Sequence, residues 1–433
     1  MITKRLNSFN KLPLTINSFL KIVVSAFVLC TTAFSQSLLA RETPPLFDPI
    51  FTTPVLLAEN KPENHRHHKP QQPHMPRPLV EVVFVLDTTG SMGGLIQTAK
   101  EKIWSIASSM SSAKPAPDIK IGLVAYRDRG DTYVTKITPL SSDLDSIFAE
   151  LMDFKAQGGG DGPESVNQGL YDAVANIQWS ERKNAYKVIF LVGDAPPHMD
   201  YQDDVKFPAS LAIAKQKNII VNTIQCGNDA KTLYKWKEIA QLAHGSYFNV
   251  EQSGGSVVMN TPYDDQLANI SRKLDSTKIY YGTAEDKIKH REKSAAKEKL
   301  YSSASPAALA RRAEFNSSDS GKKNAYGKQE LLAEMESDEV SLDEIKVELL
   351  PEPMQAMSKK ERKLYVAEKS KQRTALEKEM EAIKEKRAGY IKDKIEDMDD
   401  DARKNSLEEK IYSVVKEQGA KVGIDYSEES AKF

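Results

Sequence analysis

Short apolar runs alternate with amphipathic helical patterns from Leu79 to about Tyr281, and this alternation limits the possible folds more than any other feature. Strand–helix alternation of this kind predicts a parallel sheet with helices on both faces. The predicted strands are Val80–Leu86, Ile119–Tyr126, Tyr133–Ile137, Tyr186–Val192, Ile219–Gln225 and Ser246–Val250. The predicted helices are Gly94–Met110, Asp143–Lys155, Ser165–Ile177, Pro208–Gln216, Ala230–Ala243 and Tyr263–Lys278.

The third predicted strand is short and follows the turn D-R-G-D, so we expect it to be an antiparallel edge strand. The predicted fold class is therefore α/β: a Rossmann-like, doubly wound, mostly parallel six-stranded sheet. A charged α-helical extension follows it towards the C-terminus.

Oxygen-bearing side chains follow the first predicted strand directly. The strand ends in the string L-D-T-T-G-S-M-G-G, where Asp87, Thr89 and Ser91 stand at two-residue steps. One carboxylate and two hydroxyls form a set of hard oxygen ligands, which suits Mg²⁺, Ca²⁺ or Mn²⁺ better than zinc. The string therefore predicts a divalent cation site, with Mg²⁺ favoured.

Two later acidic loops can complete that site. The string G-G-G-D-G-P-E-S surrounds Asp161, and V-I-F-L-V-G-D-A-P-P-H ends a strand at Asp194. In open parallel sheets, ligands bind at the carboxyl ends of strands where the strand order reverses. We therefore expect Asp87 and Asp194 to meet at that edge.

Residues from about 80 to 281 resemble a von Willebrand factor type A domain. The D-x-T-x-S pattern of Asp87, Thr89 and Ser91 is similar to that family's metal-ion-dependent adhesion motif, usually D-x-S-x-S. Asp194 matches the family's Asp after the fourth strand, whereas Asp161 stands where the family usually has Thr. The strings A-Y-R-D-R-G-D, G-G-G-D-G-P-E-S and V-G-D-A-P-P-H resemble bacterial and alpha-kinase-associated members.

The resemblance implies a protein-binding module and not an enzyme. In the family, the hydroxyls and the loop Asp hold the metal directly or through water, and a carboxylate of a partner protein fills the open position. Asp161 would add a third carboxylate, which should hold the ion more tightly but weaken its attraction for an acidic partner. We expect either a neutral oxygen ligand or a structural metal at this site.

Four other residues near these motifs have structural interpretations. Glu164 is expected in the first turn of a helix, Asp128 in support of its loop, and His198 on the surface. Cys226 is expected to be a buried thiol at a strand end. Cys30 falls in the N-terminal apolar segment and is expected to be removed with it. Cys226 would then be the one remaining cysteine, so no internal disulfide is predicted.

A haloacid dehalogenase-like phosphatase is the enzymatic alternative. D-T-T-G-S resembles the phosphorylation motif D-K-T-G-T, in which Asp87 would be the nucleophile and Asp194 would bind Mg²⁺. Against this alternative, Thr88 replaces the Lys of that motif. Asp200 and Asp203 could still mimic the acidic pair of such phosphatases.

The N-terminal region predicts export. Residues 1–35 have the basic and apolar segments of a secretory signal peptide, with an uncleaved anchor as the alternative, and residues 36–78 form a Pro/His-rich linker. The mature protein would lie in the periplasm or the extracellular cell envelope and would not be an integral membrane protein. The net charge of -1 argues against a nucleic-acid partner, so we expect a protein partner.

Residues 283–433 are predicted to be a charged helical region, partly disordered, that follows the A-type domain of residues 79–282. Leu376, Met380 and Ile383 have helical spacing, but the pattern resumes at Ile391 after a shift in phase. The shift argues against one long coiled coil and favours several helices in a hairpin or short bundle. Residues 301–328 are expected to be a mobile connector. A scaffold that binds through these helices is the third functional alternative.

Overall fold

The computed structural model describes residues 77–160, 162–255, 259–398 and 400–427. The predicted signal peptide, nearly all of the linker and Asp161 lie outside these residues. No helix in the described part is long and apolar enough to cross a membrane.

A six-stranded sheet forms the centre of the fold, with strand order β3-β2-β1-β4-β5-β6. All neighbouring strands are parallel except β3, which pairs antiparallel with β2 at the edge. The predicted fold class is therefore confirmed, including the antiparallel edge strand. The strands are β1 (Leu79–Asp87), β2 (Asp118–Tyr126), β3 (Thr135–Ser141), β4 (Tyr186–Gly193), β5 (Ile219–Cys226) and β6 (Tyr247–Val250).

Helices cover both faces of the sheet. Val82 and Phe84 of β1 belong to the same apolar cluster as Trp104 on one face, whereas Val83 and Val85 belong to the core on the other. Side chains alternate between the faces along a strand, so β1 is apolar on both sides. The helices of this part are α1 (Gly93–Met110), α2 (Leu144–Asp153), α3 (Val166–Tyr171), α4 (Phe207–Gln216), α5 (Ala230–Leu242) and α6 (Asp264–Asp275).

The region after residue 282 is helical and belongs to the same core. Leu300, Phe315, Leu407 and Val415 share one apolar cluster with β1 and α1. The helices are α7 (Ala284–Ser303), α8 (Pro306–Ser317), α9 (Lys322–Tyr326), α10 (Leu331–Glu336), α11 (Glu352–Gln355), α12 (Lys359–Glu396), α13 (Asp400–Lys404) and α14 (Leu407–Ala420). The domain boundaries at residues 35, 78 and 282 stay predictions, but the core does not end at residue 282.

Helix α14 packs on the sheet through a buried polar contact. The Tyr186 hydroxyl donates to Gln418 Oε1 at 2.8 Å, and Gln418 Nε2 donates to Asn222 Oδ1 at 2.9 Å. All three residues are buried. Because a buried amide without partners is costly, these bonds specify where α14 lies on β4 and β5.

Buried arginines explain why the predicted phase break does not interrupt α12. Arg373 and Arg387 are each 1% exposed and continue the buried stripe of Leu376, Met380 and Ile383. Arg387 pairs with Asp264 of α6 at 2.7 Å and with Glu314 of α8 at 2.9 Å. The predicted pattern counted only apolar residues, so it missed that these arginines complete the helical period.

The prediction of a mobile connector at residues 301–328 was wrong. This segment contains α8 and α9, and Arg312 of α8 is 1% exposed. Its guanidinium donates to both carboxylate oxygens of Asp145, at 2.6 and 2.8 Å, and to Asp275 at 3.1 Å. A buried charge needs such partners, and these anchor α8 to α2 and α6.

Candidate metal centre

Asp87 ends β1 and is fully buried. Its Oδ1 accepts hydrogen bonds from the Thr89 amide at 2.9 Å and the Thr89 hydroxyl at 2.6 Å, whereas its Oδ2 has no hydrogen-bond partner. Burial raises the pKa of Asp87 to about 7, although the Thr89 hydrogen bonds oppose this shift. A buried carboxylate oxygen without a partner is costly, and a bound cation would remove that cost.

The two hydroxyls of the motif lie side by side in the turn before α1. Thr89 Oγ1 and Ser91 Oγ are 3.5 Å apart, with Thr89 buried and Ser91 exposed. The Gly90 amide donates to the Gly158 carbonyl at 3.0 Å, which holds this turn against the second loop. The hydroxyls can therefore offer oxygen lone pairs between the buried Asp87 and solvent.

Asp194 follows β4 and lies beside Asp87, as predicted from the parallel pairing of the two strands. Its Oδ2 accepts from Gln252 Nε2 at 2.7 Å. Gly193 keeps the space between the strands open, because a Cβ there would meet the Tyr126 hydroxyl and lie 3.1 Å from Asp87 Oδ2. The strand ends therefore place two carboxylates at one point of the sheet edge.

Glu164 lies near the predicted ligands, although only a structural role was expected for it. It precedes α3 instead of lying in its first turn, and it is only 4% exposed. A Cβ on Gly159 would lie 2.9 Å from Glu164 Oε1 and 3.1 Å from Thr89 Cβ, so this carboxylate reaches the Thr89 turn. Burial raises the pKa of Glu164 to about 9, and Asp87 adds to the shift.

The fold brings Glu164 to the site through the β4 loop. Its amide donates to the Pro196 carbonyl at 3.0 Å, and its own carbonyl accepts from the His198 amide at 3.1 Å. Glu164 Oε2, like Asp87 Oδ2, has no hydrogen-bond partner. The D-G-P-E string could have indicated that Glu164 lies outside the helix. Pro163 separates Glu164 from the Gly-rich turn and disfavours a helix that begins before residue 163. Asp161 lies outside the described residues.

Asp128 and His198 support the loops behind the site. Asp128 accepts from the Ser165 hydroxyl and from the Tyr201 hydroxyl, both at 2.9 Å, as expected for a loop-supporting residue. His198 was expected on the surface but is 4% exposed; it stacks on Tyr201 with ring centroids 4.0 Å apart. Cys226 is buried at the end of β5, as predicted.

The charges of the site suit a hard cation. In the described part of the chain, no Lys, Arg or His forms an ion pair with Asp87, Glu164 or Asp194. Carboxylate and hydroxyl oxygens are ligands of Mg²⁺, Ca²⁺ and Mn²⁺. Within the described ranges, however, no three His, Cys, Asp or Glu side chains are arranged to hold a metal ion. An ion would therefore also require hydroxyl or water ligands.

Comparison with protein families identifies the sheet region. Residues 81–262 match the family model described as a von Willebrand factor A domain. The segment that carries the candidate metal centre is therefore a von Willebrand factor A domain. Such domains generally mediate metal-dependent protein interactions.

Two curated proteins are similar to part of this domain. The alpha-protein kinase vwkA of Dictyostelium discoideum is 29% identical over 121 residues, which cover 28% of this chain and 19% of the kinase. The putative ariadne-like RING finger protein R811 of Acanthamoeba polyphaga mimivirus is 28% identical over 123 residues, 28% of this chain and 11% of that protein. The chain spans less than a fifth of either relative.

Solved structures with a similar arrangement include BatB from Bacteroides thetaiotaomicron, with a TM-score of 0.31, 17% identity and coverage of 40% of this chain and 90% of BatB. Proximal thread matrix protein 1 from the mussel byssus, with a zinc-occupied metal-ion-dependent adhesion motif, has a TM-score of 0.32 and 16% identity. The match covers 41% of this chain and 42% of that protein.

Proposed function

We propose that this protein is an exported, divalent-cation-dependent protein-binding module. The observation that carries the proposal is the pair of buried carboxylate oxygens without partners, Asp87 Oδ2 and Glu164 Oε2, beside the Thr89 and Ser91 hydroxyls. Asp194 and Asp161 would contribute directly or through water, since no three carboxylates of the described residues are arranged to hold one ion together. Mg²⁺ is the favoured ion, with Ca²⁺ and Mn²⁺ as alternatives.

Different residues of the site would bind the ion and leave one of its coordination positions open to a partner. A bound dication supplies a Lewis-acidic centre that accepts one more oxygen ligand. Thr89 and Ser91 would offer neutral oxygens, and the buried carboxylates would supply charge. A protein partner would contribute the remaining oxygen, so its binding would require the metal.

The location in the cell envelope rests on the signal-like segment at residues 1–35. The C-terminal helices are a less favoured binding surface than the sheet edge. Apolar side chains of α8, α12 and α14 already pack against the A domain, so these faces are not available to a partner. We therefore place partner binding on the A domain. The absence of an enzymatic role is part of this proposal.

The test is a calorimetric titration of Mg²⁺, Ca²⁺ and Mn²⁺ into the metal-stripped full chain. We expect saturable binding at one site that is lost in Asp87→Ala. Asp343→Asn, at an exposed carboxylate far along the chain, should bind as the unmodified protein does. An intact protein that binds no ion, or an Asp87→Ala variant with unchanged binding, would refute the proposed centre.

A capture experiment tests the protein-binding part of the proposal. The metal-loaded protein and its Asp87→Ala variant would be presented to envelope proteins, with and without chelator. Partners of this site must be retained only by the unmodified, metal-loaded chain. Equal retention by all four preparations would place binding elsewhere.

A further inference from the structure

Gln252 lies in the loop after β6 and contacts the candidate metal centre from there. Its Nε2 donates to Asp194 Oδ2 at 2.7 Å and to the Ser91 carbonyl at 3.4 Å. Among the residues that the structure describes, Gln252 alone donates a hydrogen bond to the Asp194 carboxylate. One amide therefore links the carboxylate at the end of β4 with the turn that carries Ser91.

Neighbouring loops fix the position of this amide. Gly227, after β5, leaves room for it, because a Cβ on Gly227 would lie 2.4 Å from Gln252 Oε1. The Gly227 amide also donates to the Val250 carbonyl at 3.0 Å, at the end of β6. On the other side, the Thr98 hydroxyl of α1 donates to the Ser253 carbonyl at 2.6 Å. The backbone on either side of Gln252 is therefore tied to β5 and to α1.

The two ends of the amide have different neighbours, and these determine its orientation. A carboxylate without a proton only accepts hydrogen bonds, so the NH₂ group must face Asp194 and the oxygen must lie beside Gly227. The side chain of Gln252 is exposed and belongs to neither apolar cluster of the sheet. A substitution at this position therefore leaves the core intact.

The hydrogen bond restricts how Asp194 can meet a cation. Because Oδ2 is held by Gln252, the carboxylate offers Oδ1 to an ion, directly or through a water. Hydrogen bonds of this kind orient metal ligands and affect metal affinity. Mg²⁺ requires near-octahedral geometry and retains water, whereas Ca²⁺ accepts carboxylates through one oxygen or both. A carboxylate held through one oxygen suits Mg²⁺, and one that rotates freely also suits Ca²⁺.

We infer that Gln252 is a positioning residue that shifts the preference of the metal centre towards Mg²⁺ and away from Ca²⁺. It acts through Asp194 and is not itself a ligand of the ion. The inference rests on the proposed cation site and adds a determinant of its selectivity. That determinant lies after β6, outside the strings that contain Asp87, Asp161 and Asp194.

The experiment titrates Mg²⁺ and Ca²⁺ separately into the metal-stripped full chain and its Gln252→Met variant. Methionine is also long and unbranched but has no hydrogen-bond donor. We expect the variant to bind Mg²⁺ about tenfold more weakly and Ca²⁺ less than about threefold more weakly, so the ratio of the two affinities falls. Gln97→Met is the matched control, at an exposed glutamine of α1 that bonds to Glu101, and should keep both affinities.

Urea unfolding in EDTA separates positioning from a structural role. The unmodified chain and Gln252→Met should unfold at the same urea concentration, because the substituted side chain is exposed. An unchanged ratio of Mg²⁺ to Ca²⁺ affinity in this variant would overturn the inference and leave the proposed cation site in place. If the unmodified chain bound neither ion, the proposed site itself would be refuted, and this inference with it.

Discussion

At the scale of single residues, Gly193 shows how little space surrounds the candidate metal centre. We expect Gly193→Ala to push Asp87 or Tyr126 from its position and to destabilise the protein by about 1–3 kcal/mol. Metal affinity should fall as well. Urea unfolding and calorimetry measure both effects.

Gly389→Ala is the matched control for that substitution. Gly389 lies inside α12, and a Cβ there would meet nothing within 4 Å. Alanine favours a helix over glycine by about 1 kcal/mol, so this variant should be more stable than the unmodified chain. If Gly193→Ala were equally well tolerated, the close packing around Asp87 would be wrong.

The buried carboxylates predict an unusual pH dependence for the metal-stripped protein. In the folded state the pKa values of Asp87 and Glu164 are raised to about 7 and about 9, from their ordinary values of 3.8 and 4.5. Between about pH 4 and 9 the folded chain therefore binds more protons than the unfolded chain, and the contribution of these groups to stability falls as pH rises.

Urea unfolding in EDTA from pH 5 to 9 tests this dependence. The unmodified protein should lose stability with rising pH relative to the Asp87→Asn/Glu164→Gln double variant. Saturating Mg²⁺ should reverse the loss at high pH, since the metal binds the deprotonated carboxylates. Parallel pH profiles of the two proteins in EDTA would show that these carboxylates are not perturbed.

At the scale of elements, the sequence predicted the strands and the helices up to α6, because each has its own periodicity. Most of their first and last residues lie within about three residues of the predicted ones. The largest difference among the strands is at β3, which continues to Ser141 and does not end at Ile137. The helix predicted over Ser165–Ile177 is present, but after Tyr171 its α-helical bonding changes to wider π-helical bonding over Asp172–Asn176. Helix α12 continues where a break was predicted, because Arg387 fills the core position.

The same helix provides a prediction about buried charge. Arg387→Ala leaves Asp264 and Glu314 buried without this cation, and removing one partner of a buried pair costs about 3–5 kcal/mol. Lys386→Ala, at the exposed residue directly before Arg387, should change stability by less than about 0.5 kcal/mol. Chemical unfolding measures the free energy of unfolding of both variants. Equal values would mean that Arg387 is not buried.

At the scale of the whole molecule, the A domain and the C-terminal helices share one apolar core. A chain that ends at Gly282 loses Phe315, Leu407, Ile411 and Val415 from the cluster beneath β1 and α1. We expect this fragment to lose its cooperative unfolding transition, whereas a chain that ends at Ser427 should keep it. Near-ultraviolet circular dichroism reports the packing of aromatic side chains, and urea unfolding shows whether each chain has a cooperative transition. A cooperative transition of the shorter fragment would show that residues 79–282 fold independently.

What the sequence determined by itself is the sheet and the position of Asp87, Thr89, Ser91 and Asp194 at or beside strand ends. Those features depend on local periodicity and on the rule that parallel strands end at one edge, so neighbouring residues carry the information. Only the tertiary structure decided the placement of Glu164, the burial of Arg312 and Arg387, and the docking of α14. A charged side chain becomes part of a core only when partners from distant segments surround it, and no local pattern records those partners.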